Sequence, residues 1–133
     1  MGDLEAKVDA LLKMAKALDP PVKRIGVQEN DSVYLLPTEE ICFITTGDGG
    51  GVEYYATDGK KYVNFDSISG LDKKLAEDPK FMKVHKSYIV NLKQIATVTT
   101  VSGGRELKFR AWPDEKVKCA QDYVKPLEDY FKI

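Results

Sequence analysis

Lys83, His85, Lys86, Ser87 and Asn91 lie within one stretch, residues 81–91, where polar side chains interrupt apolar ones that alternate as in a β-strand. Lysine and histidine can meet phosphate oxygens or the N7 and O6 acceptors of guanine. Serine can bond phosphate, and asparagine can bond adenine or cap a turn. The stretch therefore carries the chemistry of a nucleic-acid contact. A second account needs no ligand: His85 and Ser87 hydrogen-bond backbone at a strand-to-turn junction. Along an unbroken strand Lys83, His85 and Ser87 share one side and Lys86 takes the other, and a turn at Lys86-Ser87 would gather them.

The charge distribution singles out the same region. The chain of 133 residues has a formal net charge of -1, yet residues 81–118 carry +5 and the remainder -6. Within the basic segment Lys116 and Lys118 add candidate phosphate contacts to those of the central stretch.

Other chemistries find less support. His85 is the one histidine, it lies between Lys83 and Lys86, and no acid adjacent in sequence orients it. No nucleophile, base and oxyanion donor can be assembled, so no enzymatic activity and no small-molecule substrate are expected. The run Gly47-Asp48-Gly49-Gly50-Gly51 lacks the lysine and hydroxyl residue of a phosphate-binding loop and reads as a flexible hairpin tip. Cys42 and Cys119 are far apart, in segments that read as strands, and are expected to be buried free thiols. No metal and no cofactor are expected. No apolar run reaches the ~18 residues that cross a bilayer, and the acidic start is unlike a secretory leader, so the expected location is cytoplasmic with no membrane partner.

The elements that must hold these residues are mostly strands. Leu4, Val8, Leu11, Ala15 and Leu18 recur at helical spacing, which predicts an amphipathic helix over residues 3–18 that Pro20 and Pro21 terminate. Its apolar stripe packs either on the rest of the domain or against the same helix of a second chain. From Val22 onward the pattern has period two. It predicts strands over 22–28, 32–36, 40–46, 52–57 and 60–65, a helix over 67–77 capped by Asp66 or Ser67, and strands over 94–101, 105–111 and 117–120. A helix over 121–131 closes the chain.

The order Lys83-x-His85-Lys86-Ser87-Tyr88-Ile89-Val90-Asn91, with Phe81 before it and Ile95 after, resembles the signature of the LytTR family of bacterial DNA-binding domains. The flanking Val33-Tyr34-Leu35-Leu36, Glu40-Ile41-Cys42-Phe43-Ile44 and Asp58-Gly59 segments agree in order, so the resemblance covers about residues 22–131. It implies a mostly β fold of short antiparallel strands in small stacked sheets, with loops rather than a recognition helix entering major grooves. Residues 1–21 would then be an N-terminal helix and linker, and residues 22–133 the DNA-binding domain. By position the resemblance places Lys83, His85, Lys86, Ser87 and Asn91 on the motif whose exposed members approach DNA, with Asn91 alternatively a structural turn residue. Phe81 is expected in the core, and Tyr88, Ile89 and Val90 in the core or supporting the contacts.

Two departures stand out. Ala120, Gln121 and Asp122 occupy positions where Ser-Arg-Arg is common in the family, and the glycine-rich loop replaces polar or basic residues. A carboxylate there repels phosphate and cannot donate to guanine. The expected function is a transcriptional regulator that binds double-stranded DNA, paired through the first helix. The alternative is a degenerate module of the same fold that acts in protein-protein interaction without sequence-specific readout.

Overall fold

The computed structural model describes residues 6–8 and 22–133. The helix expected over 3–18 therefore falls almost wholly outside the described residues, as does the division at residue 21.

Period-two segments form strands close to where they are expected. Strands β1 (Arg24–Glu29) and β2 (Ser32–Pro37) are joined by the two-residue turn Asn30-Asp31, in which Asn30 has φ 53°. Asparagine tolerates that left-handed backbone better than most residues. Strands β3 (Ile41–Thr46), β4 (Val52–Ala56) and β5 (Lys61–Asn64) follow. Helix α1 (Ile68–Leu75) comes next, capped by Ser67, whose Oγ accepts from the Gly70 amide at 3.0 Å. Ile68, Leu71 and Leu75 are its buried face, because residues three and four apart stack on one side of a helix.

Strands β6 (Phe81–His85), β7 (Tyr88–Asn91), β8 (Ile95–Val101), β9 (Gly104–Phe109) and β10 (Trp112–Ala120) precede the closing helix α2 (Gln121–Phe131). Strand β10 begins at Trp112 and not at Val117, because a register shift against β9 absorbs Pro113, Asp114 and Glu115. Pro113 has no amide to donate, so the interruption costs no ladder bond at that residue.

The strands make two antiparallel sheets. One has the order β2-β1-β5-β4-β3-β7-β6 and the other β10-β9-β8. The central strands feed two cores, one on each face. On one face Ile25, Val27 and Leu36 of the first hairpin and the apolar side of α1 pack with Ile41, Ile44, Tyr54 and Ile89. On the other, Phe43, Tyr55, Val84 and Val90 pack with Leu107, Phe109 and Val117 of the second sheet and Val124 and Leu127 of α2. Each Leu, Ile or Val buried this way contributes about 1.5–3 kcal/mol relative to leaving it in water. Trp112 fastens the sheets together: its Nε1 donates to the Ala56 carbonyl at 2.8 Å, and its ring meets that of Tyr55 edge-on at 4.7 Å.

Cys42 and Cys119 are buried free thiols. Burial pushes the Cys42 thiol up to about 11, which keeps it protonated and unreactive. Among the described residues no helix is long and apolar enough to cross a membrane.

Candidate nucleic-acid interface

Strands β6 and β7 form a hairpin whose turn is Lys86-Ser87. The turn supports itself through the local bond in which the Ser87 amide donates to His85 Nδ1 at 3.1 Å. In the neutral ring Nδ1 is thereby the acceptor, so the proton sits on Nε2 and that nitrogen is the donor free for a ligand. Tyr88, opposite His85, holds its ring 5.5 Å from the imidazole and supports it from the side of the second core. Tyr88 thus packs on the second core, one of the two places expected for it.

The hairpin is not regular, and this changes which side chains share a face. Lys83 pairs with Ile89 and His85 with Tyr88, so Val84 is an extra residue on β6, a β-bulge. Ile89 belongs to the first core and Tyr88 packs on the second. Lys83 and His85 therefore lie on opposite faces, not on the shared face that simple alternation predicts. The bulge instead turns His85 to the side of Val84, towards the three-stranded sheet.

That orientation brings His85 to Lys118. Strand β10 packs on β6. The His85 imidazole binds its proton more weakly than the usual 6.5, first because it is partly desolvated and then because the Lys118 and Lys86 ammonium groups repel a second positive charge. Lys86, Lys116 and Lys118 are exposed, while Ser87, Lys83 and His85 are half-buried. The structure thus joins His85, Lys86, Ser87 and Lys118 into one basic cluster, leaves Lys116 further along β10, and sets Lys83 on the other face. A polar groove of about 180 Å³ runs beside the lysines of β10, lined by Ser102, Arg105, Glu106, Lys116 and Lys118. Arg105 enters the sequence reading only through its charge. On β9 it pairs with Cys119, while Lys118 pairs with Glu106, and the Arg105 guanidinium is tied to the Glu128 carboxylate of α2 at 3.2 Å.

Asn91 is 1% exposed. Its Nδ2 donates to the Ile41 carbonyl at 2.9 Å and its Oδ1 accepts from the Lys93 amide at 3.0 Å. The placement of Asn91 on DNA is therefore corrected: the side chain is spent inside the protein, tying β7 to β3 and starting the short 3-10 turn Leu92–Gln94.

The two altered neighbours take definite positions. The tip between β3 and β4 lies next to the β6–β7 turn, because Thr45 pairs with Tyr88 and Thr46 with Val52. Gly51 there has no room for a side chain, since a Cβ would collide with the Asn64 carbonyl oxygen. Asp122 is exposed in the first turn of α2, which begins without a side-chain cap at Ala120. A carboxylate at that place complements the helix dipole and the unpaired amides, so the acid has a structural use although it removes a cation.

A family model for the LytTr DNA-binding domain matches residues 31–132. Among solved structures the chain is similar to the LytTr DNA-binding domain of a protein described as a methyl-accepting/DNA response regulator from Bacillus cereus. The TM-score is 0.69 at 16% identity, covering 84% of this chain and 98% of that one. No curated protein matches the chain. The structural likeness carries the fold, and the family model spans most of the sequence together with the hairpin that bears His85, Lys86 and Ser87. The chain belongs to the LytTr family of DNA-binding domains.

Proposed function

We propose that this chain is a transcriptional regulator that contacts the major grooves of double-stranded DNA through loops, with the Lys86-Ser87 turn as the principal reading element. The observation that supports it most is the convergence of His85 on one sheet with Lys118 on the other, which places a neutral donor between exposed ammonium groups. In this reading His85 Nε2 donates to a guanine acceptor or a phosphate, Lys86 and Ser87 hold phosphate or base edges beside it, and Lys118 and Lys116 fix the duplex by its backbone. Lys83, on the opposite face, acts only through the field it adds. On DNA the first helix, residues 1–21 with its linker, pairs chains seated on adjacent half-sites, an association that requires the duplex, and the protein works in the cytoplasm.

A second reading rests on Asp122 and the glycine tip. With an exposed acid at the start of α2 and no side-chain donors on Gly49, Gly50 and Gly51, two neighbouring contact regions are poor in donors. On that reading the fold serves as a protein-interaction module without sequence readout. Selection of bound sequences from a random DNA pool separates the two: an enriched motif supports the regulator, and recovery of unselected sequence or of none supports the module.

A further inference from the structure

Strand β2 is the outer strand of the seven-stranded sheet, and among the described residues it pairs with β1 alone. Its sequence, Ser-Val-Tyr-Leu-Leu-Pro, holds no charge, and Val33 and Leu35 are 63% and 52% exposed. Natural sheet edges are usually blunted by a central lysine or proline. Here the sole proline, Pro37, stands at the end of the strand. We propose that β2 is a self-pairing edge, on which the same strand of a second copy adds antiparallel about a two-fold axis through Tyr34.

The hydrogen-bond pattern makes the edge self-complementary. The two-residue turn makes Glu29 and Ser32 a bonded pair, and bonding alternates along an antiparallel ladder, so Tyr34 and Leu36 also bond inward to β1. Val33 and Leu35 then direct their N–H and C=O groups outward, and among the described residues nothing meets them. Pairing Val33 of one copy with Leu35 of the other satisfies these groups twice over by symmetry. It also joins the exposed side chains of both copies into one apolar strip, because directly opposed residues share a face.

Charge selects a second copy over a foreign strand. On the outward face of the hairpin Arg24 lies beside Pro37, and Asp31 follows in the turn at the other end. Under the symmetric register Asp31 of the second copy falls opposite Pro37. The guanidinium of Arg24 then reaches across one strand, a separation of about 10 Å between backbones, to that carboxylate. The axis generates this pair twice. A parallel pairing would set acid against acid.

The proposal is independent of whether the chain reads DNA. Its test is sedimentation equilibrium on the full chain and on variants at exposed positions, with circular dichroism to verify folding. The native chain should dimerise with a dissociation constant on the order of 10–100 µM, as befits a small interface. Arg24→Asp and Asp31→Arg should each weaken dimerisation about tenfold, and the double variant should restore it to within about twofold. Leu35→Glu should abolish it. A monomer at all concentrations up to about 1 mM overturns the proposal. So does a dimer lost on Leu11→Asp but indifferent to the charge exchange, which would assign the contact to the first helix. A double variant as weak as the single ones overturns it too, since the two charges would then not face each other.

Discussion

The imidazole of His85 lies 5.5 Å from the ring of Tyr88, inclined at 57°, on facing strands of one hairpin. This contact, with the Ser87 amide on Nδ1, fixes both the orientation of the histidine and the nitrogen it offers. Replacing His85 by Ala should weaken binding to a selected duplex by about 1 kcal/mol, a factor of about five, measured by fluorescence anisotropy. Tyr88→Leu, which removes the support and leaves the imidazole, should give part of the same loss. Full affinity in His85→Ala would exclude the hairpin from the interface.

Lys86 and Lys118 should behave differently from His85. Each is exposed and, as a phosphate contact, should be read out by ionic strength. Lys86→Ala and Lys118→Ala should each lower the slope of log affinity against log salt by about one, with little change in the preferred sequence. An unaltered slope in both would place the duplex elsewhere.

The single histidine permits a direct test by pH. Burial and the Lys118 and Lys86 charges hold its proton affinity in the free protein below the ordinary value. A base whose folded pKa is depressed favours the folded state at pH above its unfolded pKa, about 6.5, and loses that contribution as pH falls towards the folded value. The imidazole resonance followed by NMR should therefore titrate below 6.5 in the free protein. It should move upward when DNA is added, since phosphates favour the protonated ring. The same midpoint with and without DNA would remove His85 from the contact.

Asn91→Ala should act on stability alone. It leaves the Ile41 carbonyl and the Lys93 amide without partners in a buried place, at a cost of about 1–3 kcal/mol in chemical denaturation. The affinity of the folded fraction for DNA should stay as it is. A specific loss of affinity at native stability would return Asn91 to the interface.

Asp122→Arg should separate the two uses of that position. Stability should fall by about 0.3–1 kcal/mol, because a cation replaces the anion that complements the start of α2. DNA affinity should rise, by roughly tenfold at low salt, since a repulsive charge becomes an attractive one near the duplex. Unchanged affinity would show that α2 stands clear of DNA.

Much of this was legible in the sequence, and the illegible parts share a cause. Alternation of apolar residues placed most strands, and their recurrence at three and four residues placed α1 and α2, because burial on one face imposes the period directly. The spacing of Ile68, Leu71 and Leu75 likewise announces the buried side of α1. What alternation cannot announce is an interruption of itself. The bulge at Val84 reverses the side on which His85 emerges, and the irregular pairing before Val117 hides the first half of β10. Asn91 was ambiguous for a different reason: its partner, the Ile41 carbonyl, is 50 residues away in sequence. The meeting of His85 with Lys118 has the same origin, since only the packing of one sheet on the other brings them together.

The supply of both cores by β3 has a further consequence. Ile41 and Ile44 point into one core and Cys42 and Phe43 into the other, so β3 cannot leave its place without opening both cores. Amide protons of β3 and β4 should exchange only through global unfolding and report the full stability of the domain. The β1–β2 hairpin is joined to β5 by one register pair, Gln28 and Val63, by the bond from Asn64 Nδ2 to the Gly26 carbonyl and by the stacking of Tyr34 on Tyr62, a slighter attachment than a full ladder, and it should open in a separate event of lower cost than global unfolding. The molecule would then have a cooperative centre and one detachable flap, and the flap carries the self-complementary edge.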